Sequence, residues 1–408
     1  MQSLRKTFHS LRTRNFRLYF IGQLISNTGN WLTSVALTLL VLKITGSGLA
    51  VGILAACQFG PVLLLSAYAG AVVDRSNKRK MLLIAQILQM LQSTGLAIAA
   101  FMPHTSVTAL YALALLGGII LSFDNPIRRS FVGEMVPPED ISNAVVIYSS
   151  IVNATRIIGP ALAGVLIITV GYAWCFTIDA ATYLAVLYCI FIMRSNELFT
   201  VPPKPKEKGE IRAGLRYIFA TPNLWISFVL LLAIGTLAYN FNVTLPLFIT
   251  GPLHKSTETY TILYSIFSAG ALLSALLVAH RGFVKIKHII LGAAALGLSM
   301  ILLSVVSNIF FAAVFIFCIG MTSVIYMTAS TAIIQIEAKR EMHGRLLALQ
   351  SVFLFGTSVI GGPLSGYLAD LFSARTPLIF GGFVCVLAAG FGWVVNRNYK
   401  KTTTTMVE

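Results

Sequence analysis

The chain has 408 residues, of which 57% are hydrophobic and only 11% charged, with a mean hydropathy of +0.83. A soluble domain carries about 25% charged residues, so this composition excludes a water-covered globule and predicts an integral membrane protein. The net charge of +16 would suit a nucleic-acid binder. However, the cations cluster in short segments between apolar runs, the distribution that orients a membrane protein, so the expected partner is membrane lipid and not nucleic acid.

A helix needs about 20 apolar residues to cross a bilayer. After a basic N-terminus, whose following apolar run is too long for a signal-peptide core, the chain offers predicted spans at 18–42, 51–73, 81–102, 105–125, 141–168 and 172–194. Six more follow at 223–250, 257–280, 287–305, 308–336, 344–371 and 375–397. With both termini inside, 26 of the 30 Lys and Arg fall on the cytoplasmic side and only Lys43, Lys255 and Arg375 outside, with Arg156 within a span. That asymmetry supports the assignment. The five cysteines all lie in apolar runs without a CxxC or a histidine cluster, so neither disulfides nor a metal site is expected.

The longest polar stretch, Arg194 to Asn223, is proline-rich and then basic and amphipathic. It reads as a cytoplasmic linker (195–222) between an N-terminal six-helix bundle (1–194) and a C-terminal one (223–408). The halves echo each other: "RIIGPALAG" at 156–164 and "VIGGPLSG" at 359–366, and Asp74–Arg75 and His280–Arg281, are separated by nearly the same offset. The fold class is therefore all-α, twelve transmembrane helices in two pseudo-symmetric bundles.

The turn "GAVVDRSNKRK" (70–80) resembles the loop signature of the major facilitator superfamily, G-x-x-x-D-R-x-G-R-K/R, with Asn77 in place of the usual glycine. "GPALAG" resembles that superfamily's exporter-associated motif, and residues 125–166 are similar to the branch containing enterobactin exporters and macrolide-efflux proteins. The resemblance covers essentially the whole chain. It implies a cytoplasmic gate at Gly70, Asp74, Arg75, Lys78 and Asp124, with Asp74 facing the start of the 344–371 span and Arg75 and Lys78 reaching Asp124. An anion there is favoured by the helix dipole. It further implies a monomer in a bacterial inner membrane.

Polar groups inside spans usually face a cavity or another helix. Gln23, Asn27, Asn30 and Ser34 form one stripe on the first span, with Trp31 beside it; Ser149, Asn153 and Arg156 form another, and Thr236, Asn240 and Thr244 a third. Gln23, Asn27, Asn30, Trp31, Asn153 and Asn240 are the substrate-cavity candidates, against the alternative of interhelical packing. Gly159, Pro160, Gly164, Gly362, Pro363 and Gly366 are expected to permit bending and close helix approach. Arg156 and Asp179 lie about 18 Å and 10 Å from the turn joining their spans and form the proton-coupling candidates, Arg156 acting on Asp179 or on an anionic group of the substrate. The alternatives are a structural ion pair, or an Arg156 bonded to helix carbonyls that braces the glycine–proline kink. Asp370 and Arg375 are expected to pair at the outer mouth, and His254, His280, His288 and His343 to lie in loops.

No GxxxxGK[ST] loop and no HExxH cluster occurs, so neither an ATP-driven pump nor an enzyme is expected, and no cofactor. The expected function is secondary transport of a small molecule, most simply proton-coupled efflux of an amphipathic drug-like or siderophore-like compound. A lipid flippase and a proton-coupled nutrient importer remain alternatives.

Overall fold

The computed structural model describes residues 9–199, 210–281, 285–339 and 342–405. The described residues form helices α1 (Arg14–Thr45), α2 (Gly48–Asp74), α3 (Lys78–Phe101), α4 (Val107–Glu134), α5 (Ile141–Thr169), α6 (Tyr172–Phe191) and α7 (Glu210–Ala220). These are followed by α8 (Pro222–Leu237), α9 (Phe241–Thr250), α10 (Thr257–Arg281), α11 (Ile286–Val305), α12 (Ile309–Glu337), α13 (His343–Leu371) and α14 (Thr376–Thr405). Among the described residues there is no strand. Among the described residues twelve stretches are long and apolar enough to cross a membrane, one for each predicted span, with α8 and α9 together forming the seventh. Helices suit this setting because hydrocarbon offers no partner for a free backbone group.

Helix ends follow local chemistry. Asn77, Ser106 and Asn308 cap α3, α4 and α12 by accepting the amides of Lys80, Ala109 and Phe310 at 3.0, 3.4 and 2.8 Å. The α5–α6 turn passes through Gly171 at φ +90°, a conformation open to glycine. Asn77 has φ −69°, so it stands in the signature as a helix cap and not as a left-handed residue replacing glycine.

Two spans depart from their sequence reading. The fourth does not end near 125: α4 continues through Asn125–Pro126 to Glu134, nine residues beyond the predicted boundary, and carries Arg128 into the protein interior. The seventh is interrupted at Ala238–Asn240, where the Asn240 side chain donates to the Thr236 carbonyl at 2.7 Å and so satisfies a backbone group at the break. His280 lies in the last turn of α10, and His288 and His343 in the first turns of α11 and α13, not in loops.

The chain divides into two compact units, Met1–Thr45 with Gly60–Pro205, and Gly46–Phe59 with Lys206–Glu408. In the first unit α1 packs on α5 and α6, and α3 on α4 and α6. Its buried core includes Phe16, Tyr19, Leu82, Ile127, Phe131 and Val186. In the second, α8 packs on α13 and α14, α11 on α12 and α14, and α10 on α12. Counted by span, the first, third, fifth and sixth helices of one unit pair as do the seventh, ninth, eleventh and twelfth of the other. The internal repeat seen in the sequence is thus also a repeat of packing.

Candidate coupling and transport site

The centre of the first unit holds an acid on hydroxyls. Asp179, two turns into α6, is 1% exposed. Its Oδ2 accepts from Thr33 Oγ1 on α1 and from Ser93 Oγ on α3, both at 2.7 Å. Its Oδ1 has no hydrogen-bond partner. This oxygen lies where α1 carries Gly29: a Cβ there would sit 2.4 Å from it, so the glycine is what admits the carboxylate between the helices. One turn along α6, the Tyr183 hydroxyl donates to Asn30 Oδ1.

Arg156 does not join this cluster as the sequence reading expected. It is an exposed side chain on α5 whose guanidinium lies 5.7 Å from the centre of the Trp31 ring on α1, within range of a cation–π attraction. The physical reason is local packing. Gly159 sits against Trp31, where a Cβ would come within 2.3 Å of the tryptophan Cβ, so α1 and α5 approach closely and the indole lies beside Arg156. Asp179, meanwhile, is turned into the contact of α6 with α1 and α3.

A second polar cluster lies about two to three turns further along α1. Arg128 is 4% exposed and Asp124 2%. Their side chains pair at 2.5 Å as an i,i+4 couple on α4. Arg128 also donates to Gln23 Oε1 on α1 and, at 3.5 Å each, to Gln86 and Gln89 on α3. Gln86 Nε2 in turn donates to Asp124 Oδ1 at 3.0 Å. A buried ion pair is tolerated when neighbouring groups satisfy its remaining donors and acceptors. Three glutamines supply that here.

The gate candidates separate. Asp124 is held by Arg128 and Gln86, not by Arg75 or Lys78; Lys78 instead pairs with Glu134 Oε1 at 2.6 Å. The extension of α4 explains the exchange, because it buries Asp124 beside its own i+4 arginine and brings Glu134 to the turn. Arg79 donates to the carbonyls of Ile190 and Phe191 at 2.8 and 3.1 Å, the open end of α6. Asp74, the last residue of α2, and Arg75 are exposed, and Gly70 is half-buried with open space around it.

Among the cavity candidates, Gln23 is fully buried, drawn inside the bundle by Arg128 instead of lining an open face. Asn27, Asn30 and Trp31 are half-buried, and Asn27 Nδ2 donates to Gln23 Oε1 at 3.5 Å. Asn240 is 5% exposed and spent on the α8–α9 break. The side chain of Asn153 lies outside the described residues, as do those of His280 and Arg281. Pro160 and Pro363 lie within unbroken helices, and Gly164 is buried. Gly362 and Gly366 on α13 meet Gly52 and Gly48 at the start of α2, so closely that a Cβ at Gly366 would fall 2.0 Å from the Gly48 carbonyl oxygen.

The expected Asp370–Arg375 pair is replaced by two separate contacts. Asp370 accepts from Ser47 Oγ and from the amides of Gly48 and Leu49 at 2.6, 2.6 and 2.9 Å, capping α2. Arg375 donates to the carbonyls of Ser304 and Val306 at 2.5 and 3.0 Å and lies over Phe248. Free amides attract the acid and free carbonyls the base, each at a helix end.

Thr33, Ser93, Tyr183, Arg128, Gln86 and Gln89 were not singled out by sequence. The available signal was the Asp124–Arg128 spacing, which reads as one helical face once Pro126 is allowed inside a helix.

With this geometry the likenesses to known proteins can be placed. The sequence matches the transmembrane secretion effector family over residues 5–403. It is 24% identical over 398 residues to the staphyloferrin A transporter of Staphylococcus aureus, covering 94% of this chain and 97% of that protein. It is 25% identical over 381 residues to the enterobactin exporter EntS of Salmonella typhi, covering 91% and 90%. Against the multidrug efflux pump Tap of Mycolicibacterium fortuitum it is 25% identical over 366 residues, covering 86% and 88%. In fold it is similar to the POT family transporter PepTSo, with a TM-score of 0.77 at 14% identity, covering 95% of this chain and 99% of that one. A bacterial homologue of the human lysosomal transporter Spinster superposes with a TM-score of 0.75 at 14% identity, covering 95% and 98%. The chain belongs to the transmembrane secretion effector family, within the major facilitator superfamily of membrane transporters.

Proposed function

We propose that the protein is a secondary transporter that exports a small amphipathic molecule by alternating access, driven by protons taken up and released at Asp179. The observation that carries the coupling role is the carboxylate itself: buried in a membrane span, held by two hydroxyls, with one oxygen lacking a partner. Ionisable groups in that setting are expensive, and function is their usual justification. The clustering of cations on one side of the predicted spans supports both termini in the cytoplasm, and the bacterial relatives support an inner-membrane placement. The siderophore and multidrug transporters among its relatives support export of a compound of similar size.

Arg156, exposed on a span and stacked on Trp31, is assigned to the cargo. A charge in mid-membrane is favoured where it meets water or a polar partner, and this one would attract an anionic group. Asn27, one turn from Trp31 on α1, is assigned to the same face, whereas Asn30 is turned to Tyr183 on α6. Asp74 and Arg75 are assigned the cytoplasmic gate, where exposed charges make contacts of at most about 1 kcal/mol, weak enough to break in each cycle.

Transport into inside-out vesicles, with a panel of fluorescent drugs and catecholate siderophores and with or without an imposed proton gradient, tests this reading. Gradient-dependent uptake of at least one compound is expected, lost in Asp179→Asn. Uptake that ignores the gradient would direct attention to lipid flipping or import.

A further inference from the structure

The first unit contains buried polar groups that coupling at a single carboxylate does not require. Along α1, Gln23, Ser26, Asn30 and Thr33 follow at intervals of three and four residues, so their side chains share one helix face. Thr33 holds Asp179, and Asn30 accepts from Tyr183, both on α6. Gln23 gives its oxygen to Arg128 of the Asp124–Arg128 pair. Ser26 and Gln23 are each 0% exposed. Along this face Tyr19 Oη, Gln23 Nε2 and Ser26 Oγ lack any hydrogen-bond partner, as does Asp179 Oδ1 on α6, which lies against it at Gly29.

An orphaned polar atom in a protein interior is uncommon and costs about 1–3 kcal/mol. Several in sequence along one helix contact therefore call for a common explanation. Their spacing supplies one. Asp179 Oδ1 lies beside Gly29, Ser26 is three residues from Gly29, and Gln23 is three from Ser26, so successive steps rise about 4.5 Å along the helix. That interval suits a bridging water between neighbouring polar groups. Other groups around Asp179 are Thr33 and Asn30 on α1, Ser93 on α3, and Thr182 and Tyr183 on α6. The Arg128–Asp124 pair and its glutamines stand at the far end.

We infer that the face of α1 carrying Gln23 and Ser26 lines a narrow, water-bridged proton path inside the first unit, connecting Asp179 with the end closed by the Arg128–Asp124 pair. This rests on the proton role given to Asp179. In each step a water donates one proton to its neighbour and receives another, so the path moves a proton without net change in its members. Asp179 ends protonated or ionised according to direction. Arg128 remains a cation and plugs the mouth, its bond to Gln23 being the contact that opens. The proton thus reaches Asp179 through the bundle, separately from the Arg156–Trp31 face assigned to cargo.

The test uses the full-length protein in liposomes and two assays, transport driven by a pH gradient and substrate exchange at equal pH, which needs no net proton movement. Ser26→Thr and Ser26→Val have nearly the same shape and differ in the hydroxyl. The expectation is that Ser26→Thr keeps gradient-driven transport, that Ser26→Val slows it at least ten-fold, and that both exchange substrate alike. In the wild type, D2O should slow gradient-driven transport more than two-fold and leave exchange unchanged, a readout that needs no variant to fold. Equal gradient-driven rates for the Thr and Val variants, or equal slowing of both assays by D2O, would overturn the path while Asp179→Asn remains defective. If Asp179→Asn itself keeps gradient-driven transport, the coupling role fails first and the path with it.

Discussion

Asp124 and Asp179 in the first unit are both almost fully buried, yet their surroundings give them opposite prospects. Asp124 meets a permanent cation, Arg128, inside a cage of glutamines. Asp179 meets two hydroxyls and keeps an oxygen unpartnered. Removing one member of a buried ion pair strands the other, at a cost of about 3–5 kcal/mol, whereas replacing both with apolar residues is often neutral. Arg128→Met is therefore expected to lower thermal stability in detergent sharply, and Asp124→Leu combined with Arg128→Met to recover most of the loss. Asp179→Asn should unfold close to wild type, since the amide oxygen can still accept from Thr33 and Ser93. Sequence marked Asp179 because a lone acid stands out in "WCFTIDAATYLAV". It did not mark Thr33 and Ser93, since span hydroxyls mostly return to their own helix, as Ser149 does to the Val145 carbonyl at 2.8 Å. Arg128 follows Asn125–Pro126, a pair that usually ends a helix, so hydropathy alone leaves it beyond the fourth span.

Between helices, contact is governed by what glycine omits. Gly159 against Trp31 and Gly366 against Gly48 leave no room for a methyl group, whereas Gly70 and Gly133 have nothing within 4 Å of the position a Cβ would take. Overpacking typically costs about 1–3 kcal/mol, and alanine improves on glycine in a free helical position by up to about 1 kcal/mol. Melting temperatures should therefore fall for Gly159→Ala and Gly366→Ala, and hold or rise for Gly70→Ala and Gly133→Ala. A melting-temperature loss at Gly70 to match that at Gly159 would contradict this geometry. Asp370 acts on the same scale as a cap for α2. Its replacement by alanine should cost about 0.5–2 kcal/mol, the range for losing an N-cap, and asparagine should cost less. Pattern alone located each span because twenty apolar residues are a strong signal. It placed the α4 terminus and the α8–α9 break wrongly because both depend on a few side-chain bonds, those of Arg128 and Asn240, that hydropathy does not register.

For the whole molecule, the cation asymmetry makes a prediction about sidedness. With native cysteines replaced, His104→Cys in the α3–α4 turn should react with a membrane-impermeant thiol reagent added to intact cells, and Arg75→Cys in the α2–α3 turn only after the membrane is opened. The repeat was legible in sequence at this scale, since echoes one offset apart survive as matched packing within each unit. The proton path was not, because orphaned atoms exist only once helices are packed. The most direct test of coupled export is to reconstitute the purified protein in liposomes containing a pH-sensitive dye, add a transported compound without any imposed gradient, and record the pH change alongside compound movement. The account predicts proton movement opposite to the compound in the wild type, and compound exchange without proton movement in Asp179→Asn. Proton movement that persists in Asp179→Asn, or compound movement without protons in the wild type, would contradict it.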